Sequence, residues 1–200
     1  VQQVNDSGWS ENLHGEVWSP LLPPSQYFQE RLQVQKGVYD NWASLGETFP
    51  HRLDGGKPQP GPDSFEALTF SPQSLSSLFD MAKLVVTNEG LGRDEIPDLM
   101  TVGVSTNDRV GHAFGPYSPE VQDITLRTDR ELAGFFRFLD SEIGLDDVLI
   151  VLTSDHGVAP VPEYSQRTKS VGGRVSPDEI KTSINRVLSR EFGEGEYISG

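Results

Sequence analysis

The architecture of this chain follows from two segments, Asp98-Leu-Met-Thr-Val-Gly-Val-Ser-Thr-Asn-Asp-Arg-Val-Gly-His112 and Val148-Leu-Ile-Val-Leu-Thr-Ser-Asp-His-Gly157. Each segment contains an apolar, β-branched run of strand length and then reaches an aspartate and a histidine. Residues 118–143, which lie between the two segments, have the apolar spacing of a helix. A strand, a crossover helix and a second strand form a βαβ unit, in which the two strands lie parallel in one sheet.

Two Asp/His pairs follow the predicted strands. Ligands of open α/β sheets bind at the carboxyl ends of the strands, so Asp108, His112, Asp155 and His156 could face one site. Zinc readily takes imidazole nitrogen and carboxylate oxygen. A tight turn or the first turn of a helix would bring the first pair together, and Gly157 allows the backbone to turn after the second. Four ligands in two pairs indicate two metal ions, an arrangement that suits phosphoryl chemistry.

Either pair taken alone has a simpler explanation. An aspartate after a strand commonly closes a turn or caps a helix. The chain has only four histidines, and two of them stand beside these aspartates at the ends of neighbouring predicted strands. The combination therefore favours a metal site over two unrelated turns.

The motifs together resemble a known family. The run Ser105-Thr-Asn-Asp-Arg-Val-Gly-His-Ala-Phe-Gly-Pro116 followed by Thr153-Ser-Asp-His-Gly157 is similar to the alkaline phosphatase superfamily. Its nearest branch is the type I phosphodiesterase/nucleotide pyrophosphatase-like group, in particular the PafA-like bacterial alkaline phosphatases. The resemblance implies an α/β fold, part of an alkaline-phosphatase-like sandwich with a parallel-stranded central sheet flanked by helices.

The resemblance also implies a chemistry and a distribution of ligands. It implies zinc-dependent hydrolysis of phosphate monoesters with two ions, one held by Asp108 and His112 and the other by Asp155 and His156. The family's nucleophile, an upstream aspartate ligand and a third histidine ligand have no match in this chain. No catalytic residue is therefore assigned.

We expect the 200 residues to be the central and C-terminal part of one catalytic domain. Residues 1–73 are predicted to be an irregular cap or insert, because a proline- and glycine-rich run within them suits neither a helix nor a central strand. Residues 74–200 are predicted to be the α/β core segment, with helices at 74–89 and from Ser176, and an exposed loop at 163–170. The chain begins with valine, so the nucleophile segment and the C-terminal end of the domain are expected to lie outside it.

The composition limits the partners. A net charge of −14 argues against nucleic-acid binding through a basic surface. Metal ions can supply local positive charge in an acidic enzyme, so a small phosphate ester is the expected partner. The absence of cysteine excludes disulfides and thiolate ligands, and no apolar run reaches transmembrane length. The resemblance implies a periplasmic or secreted protein, and the sequence does not indicate its oligomeric state.

Several alternatives remain open at this stage. The protein could be a phosphodiesterase or nucleotide pyrophosphatase, or a catalytically inactive relic of the same fold. The triplet Phe49-Pro-His51 also has a counterpart in the family, so His51 could approach the active site. An exposed or hydrogen-bonded loop histidine is the favoured interpretation.

The 200 residues on their own are predicted to have little activity. Each ion would have two protein ligands here, whereas a typical zinc site has three or four. Isothermal titration of the isolated chain with zinc is the measurement. Tight, stoichiometric binding of two ions would contradict this prediction.

Overall fold

The computed structural model describes residues 2–27, 42–167 and 171–198. The chain divides into two compact units, Val1–Ala159 and Pro160–Gly200. The regular elements of the first unit are the helices α1 (Gln2–Asp6), α2 (Trp9–Asn12), α3 (Pro62–Thr69), α4 (Pro72–Glu89), α5 (Thr106–Phe114) and α6 (Pro119–Glu142), with the strands β1 (Val17–Trp18) and β2 (His51–Arg52). Those of the second unit are α7 (Pro162–Arg167) and α8 (Pro177–Phe192). No helix in the described residues is long and apolar enough to cross a membrane.

The two longest helices, α4 and α6, form the core of the first unit. Both were predicted from their apolar periodicity, and both are confirmed to within two residues. The hydroxyl oxygen of Ser118 accepts a hydrogen bond from the amide of Val121 and caps α6. Gly90, with φ at 67°, ends α4 in the left-handed conformation that glycine tolerates. The buried side chains of the two helices include Leu75, Phe79, Ala82, Val86, Ile124, Phe135 and Leu139.

The two predicted strands are not seen in the described residues. The sheet found there is the antiparallel pair β1/β2, in which Val17 lies opposite Arg52. Residues 99–105 do alternate between exposed and half-buried side chains, as a strand does. A strand also needs a neighbouring backbone for its hydrogen bonds, and these segments pair with none in the described part of the chain. The parallel central sheet is therefore not seen.

Two smaller expectations also need correction, and a third is confirmed. Helix α3 begins at Pro62, inside the region predicted to be irregular, because proline is well suited to the first turn of a helix. Helix α7 occupies most of the predicted loop at 163–170, whose last three residues lie outside the described ranges. The predicted helix after Ser176 is confirmed as α8.

The segment 17–27 is held on α6 by one buried carboxylate. Asp123 is 0% exposed and accepts hydrogen bonds from the indole Nε1 of Trp18 at 2.7 Å and the amide of Leu21 at 2.7 Å. The Tyr27 hydroxyl also donates to it, as does Nε of Arg127 at 2.6 Å. A buried carboxylate is tolerated when donors surround it in this way. Asp123 is thus a buried anchor for segment 17–27 and also forms a local ion pair with Arg127.

The Tyr27→Phe variant tests this anchor. Burial first, and then the hydrogen bond to Asp123, raise the pKa of Tyr27 above its ordinary value of 10.0. The neutral phenol therefore stabilises the fold at neutral pH, and its contribution is lost as the pH rises through the raised pKa. We expect the variant to lose about 1.5–3 kcal/mol at neutral pH, the usual value of a hydrogen bond to a charged group.

Urea unfolding at pH 7.5 and pH 11 measures the effect. The difference in the free energy of unfolding between wild type and Tyr27→Phe should be smaller at pH 11 than at pH 7.5. Tyr197→Phe, whose hydroxyl donates to the backbone carbonyl of Gly193, is the control and should cost less at neutral pH. A Tyr27→Phe difference that is the same at both pH values would contradict the prediction.

Candidate metal centre

Helix α5 presents the first Asp/His pair on its exposed face. Its opposite face is buried through Val110 and Ala113, which are 0% and 3% exposed. Asp108 and His112, one turn apart, therefore project from the helix together. Oδ1 of Asp108 lies 3.5 Å from Nε2 of His112. The helical alternative of the sequence analysis is thus the one that the structure adopts.

The second pair lies beside the first. Nε2 of His156 is 3.8 Å from Oδ1 of Asp108 and 3.7 Å from Oδ2 of Asp155. All four predicted residues are consequently linked by contacts in the order His112, Asp108, His156, Asp155. The chain segments that carry the two pairs converge although no sheet joins them in the described residues.

The ring of His156 is oriented by a backbone group. Its Nδ1 lies 3.0 Å from the carbonyl oxygen of Gly157. Because a carbonyl can only accept, Nδ1 carries the hydrogen and Nε2 is directed toward the carboxylates. This hydrogen bond, followed by the charges of Asp155 and Asp108, raises the pKa of His156 above its ordinary value.

The four side chains have the chemistry of metal ligands but not the closeness of an assembled coordination shell. Two carboxylates and two imidazoles are the donor types that zinc and similar cations take. Within residues 2–27, 42–167 and 171–198, no three His, Cys, Asp or Glu side chains are gathered tightly enough to form a clear ion-binding group. The metal role of Asp108, His112, Asp155 and His156 therefore stays a prediction.

The hydroxyl groups near these residues are engaged elsewhere. Oγ1 of the buried Thr106 lies 3.3 Å from Oγ of Ser74. The Ser154 hydroxyl donates to the carbonyl oxygen of His156. These local hydrogen bonds are the usual role of such residues at the ends of elements, and they give no reason to assign a nucleophile.

Sequence reasoning missed a buried polar pair behind α5. His51 and Glu120 are both 0% exposed, and Nε2 of His51 lies 3.1 Å from Oε1 of Glu120. The favoured interpretation of His51, an exposed or hydrogen-bonded loop histidine, is confirmed for the hydrogen bonding, but His51 is buried and lies in β2 rather than in an exposed loop. No local sequence signal joins two residues this far apart.

Comparison with known proteins identifies the class. Residues 9–173 match the family described as type I phosphodiesterase / nucleotide pyrophosphatase, and the chain belongs to this family. The crystal structure of wild-type alkaline phosphatase PafA has a TM-score of 0.72 and 29% sequence identity to this chain, covering 96% of it and 36% of the PafA chain. The described residues thus resemble part of the PafA fold, as a mostly helical region with a small sheet.

Two of the proteins to which this chain is similar are bacterial alkaline phosphatases. PafA of Elizabethkingia meningoseptica is 32% identical over 203 residues, covering 100% of this chain and 36% of PafA. PhoV of Synechococcus elongatus is 31% identical over 192 residues, covering 96% of this chain and 34% of PhoV. The chain therefore spans about a third of the length of these relatives.

Titration of His156 in the metal-free protein tests the convergence of the two pairs. Because both nearby carboxylates favour the imidazolium, Asp108→Asn and Asp155→Asn should each lower the pKa of His156 toward 6.5. The histidine ring signals in NMR spectra, followed against pH with a chelator present, give this pKa. Asp129→Asn, at an exposed position of α6, is the control for charge removal alone. If Asp108→Asn leaves the pKa of His156 unchanged, the two segments are apart.

Proposed function

We propose that the whole protein hydrolyses phosphate monoesters with two zinc ions and that this chain supplies part of the metal site. The observation that carries the proposal is the convergence of Asp108 and His112 with Asp155 and His156 from separate segments of the chain. Family membership and the alkaline phosphatase names of the relatives support the reaction class. The exposure of the four side chains leaves them open to an ion and a substrate.

The spacing of the donors is slightly wider than that of zinc ligands. Ligand atoms held about 2.0–2.1 Å from a tetrahedral zinc ion lie roughly 3.3 Å from one another. The separation of Asp108 and His112 is 3.5 Å and that of Asp155 and His156 is 3.7 Å, so small rotations of these exposed side chains reach ligand spacing. In the proposed arrangement each pair contributes to one ion.

Individual residues of this chain have specific roles in the proposed reaction. Bound zinc supplies positive charge that stabilises the charge developing on a transferred phosphoryl group. Gly157 fixes the tautomer of His156, so that the lone pair of Nε2 faces the site. Asp108 and Asp155 supply negative charge that favours cation binding, and without a cation the same carboxylates would repel an anionic phosphate ester.

A diester or pyrophosphate substrate is the second candidate. The family description names both phosphodiesterase and nucleotide pyrophosphatase, whereas the bacterial relatives above are named alkaline phosphatases. An inactive relic of the fold is less well supported, because all four candidate ligands are present and lie together. We favour the monoester because the named relatives cover nearly all of this chain.

The parallel central sheet and the cellular location of the protein are also proposals. The apolar run at 149–152 is exposed on both faces, and such a run suits a strand that is covered on both sides in a parallel sheet. We infer that it joins the parallel central sheet of the whole catalytic domain. A periplasmic or secreted location follows from the resemblance alone, and fractionation of cells that express the full-length protein tests it.

Substrate comparison and ligand substitution test the function. The full-length protein should turn over p-nitrophenyl phosphate faster than bis-p-nitrophenyl phosphate, lose activity with a chelator and regain it with zinc. Asp108→Ala and His156→Ala should each reduce kcat/KM by about 100-fold or more, since even outer-shell partners of metal ligands are worth 10–100-fold.

The control is His14→Ala, which removes a histidine beside Asp54 in the first unit. It should leave kcat/KM within a factor of about two, because this half-buried histidine is not among the candidate ligands. Faster turnover of the bis ester would favour the phosphodiesterase candidate. Activity that survives both chelation and the two ligand substitutions would overturn the metal-dependent proposal.

A further inference from the structure

We propose that His51 and Glu120 are positioning residues that clamp the end of α5 and so set where Asp108 and His112 stand. This inference rests on the proposed function, because it concerns the residues assigned there to the metal site. It goes beyond that function by assigning a role to two buried groups that no metal-ligand motif includes.

The clamp closes the corner between α5 and α6. His51 lies with its ring centroid 4.7 Å from that of Phe114, the last residue of α5. Its Nε2 lies 3.1 Å from Oε1 of Glu120, which is in the first turn of α6. One side chain from β2 therefore contacts both helices on either side of the short connection between them.

The ring of His51 is fixed from its other side too. Nδ1 lies 2.9 Å from the carbonyl oxygen of Leu45, so this nitrogen must carry a hydrogen. Both ring nitrogens are then committed, and rotation of the ring would break two buried hydrogen bonds. The rings of Trp18 and Phe49, with centroids 5.1 and 4.8 Å away, leave little room for another orientation.

The clamp controls the metal-site residues through helix geometry. Phe114 follows His112 by two residues and Asp108 by six, within a helix of nine residues. Over such a short helix, a shift of the C-terminal end is passed on to the face that carries both candidate ligands. A displacement of about 1 Å in a catalytic arrangement can cost about 100-fold in rate, so the clamp need move only slightly to matter.

A second buried carboxylate on α6 provides a matched control. Asp123 is as fully buried as Glu120 and stands one turn later, but the hydrogen bonds it accepts come from segment 17–27 and from Arg127. Changing either residue should destabilise the fold. Asp123 reaches His51 and Phe114 only indirectly, through Trp18. The change at Glu120 should therefore alter α5 much more than the change at Asp123, whereas a general loss of stability would affect α5 equally in both variants.

The experiment compares Glu120→Ala with Asp123→Asn in the full-length protein. Amide hydrogen exchange in 106–114 should rise by about tenfold or more in Glu120→Ala and by less than about twofold in Asp123→Asn. Cobalt(II), added alone to the metal-free protein, should give a visible absorption spectrum that changes more for Glu120→Ala than for Asp123→Asn, because that spectrum reports ligand geometry. With p-nitrophenyl phosphate, kcat should fall about 10–100-fold in Glu120→Ala, with a smaller change in KM.

Two further variants keep the test decisive. Glu120→Gln retains a polar partner for Nε2 of His51, so the amide exchange rates of 106–114 in this variant should stay close to those of the wild type. Phe114→Leu, which removes the ring that contacts His51 and leaves both carboxylates in place, should raise exchange in 106–114 even if Glu120→Ala fails to fold.

The outcomes separate this inference from the proposed function. The positioning role would be overturned if amide exchange in 106–114 rose equally in Glu120→Ala and Asp123→Asn. It would also be overturned if exchange stayed at the wild-type rate in both Glu120→Ala and Phe114→Leu. A wild-type protein that neither binds cobalt nor hydrolyses the ester, but shows the expected exchange pattern, would overturn the phosphatase proposal while supporting the clamp.

Discussion

The burial of two carboxyl groups near the start of α6 governs the arrangement of the first unit. Glu120 and Asp123 are both fully buried, and a buried carboxyl group is costly unless partners satisfy it. Asp123 is satisfied by donors from segment 17–27 and by Arg127, and Glu120 faces His51 of β2. Segment 17–27 and strand β2, which are distant from α6 in sequence, are thereby held at defined positions on this helix. Apolar packing alone would define those positions less closely.

This arrangement places an exposed polar site on a rigid apolar and hydrogen-bonded base. Helix α5 buries Val110 and Ala113 and exposes Asp108 and His112. Residues that must bind an ion and a substrate need exposure, whereas their positions need support from groups that do not move. The buried pair of His51 and Glu120 behind α5 supplies that support.

The acidic character of the chain is consistent with phosphate chemistry only where cations are bound. A net charge of −14 repels anionic esters at long range, so the local field at the site would have to be reversed by metal charge. The convergence of Asp108 and Asp155 within reach of two imidazoles concentrates negative charge where a cation would bind. Because a cation must be able to reach Asp108, Asp155 and the two imidazoles, these side chains are exposed rather than buried.

The sequence by itself determined the long helices and the candidate ligands. The apolar period of α4, α6 and α8 is a local property, as are the capping residues at their ends, and the Asp/His motifs are read directly from the chain. Only the tertiary structure decided that His51 and Glu120 are paired and that the predicted strands at 99–104 and 148–152 are unpaired in the described residues. Pairing across long separations, and the hydrogen bonds of a sheet, depend on which other backbone or side chain arrives, and no local pattern carries that information.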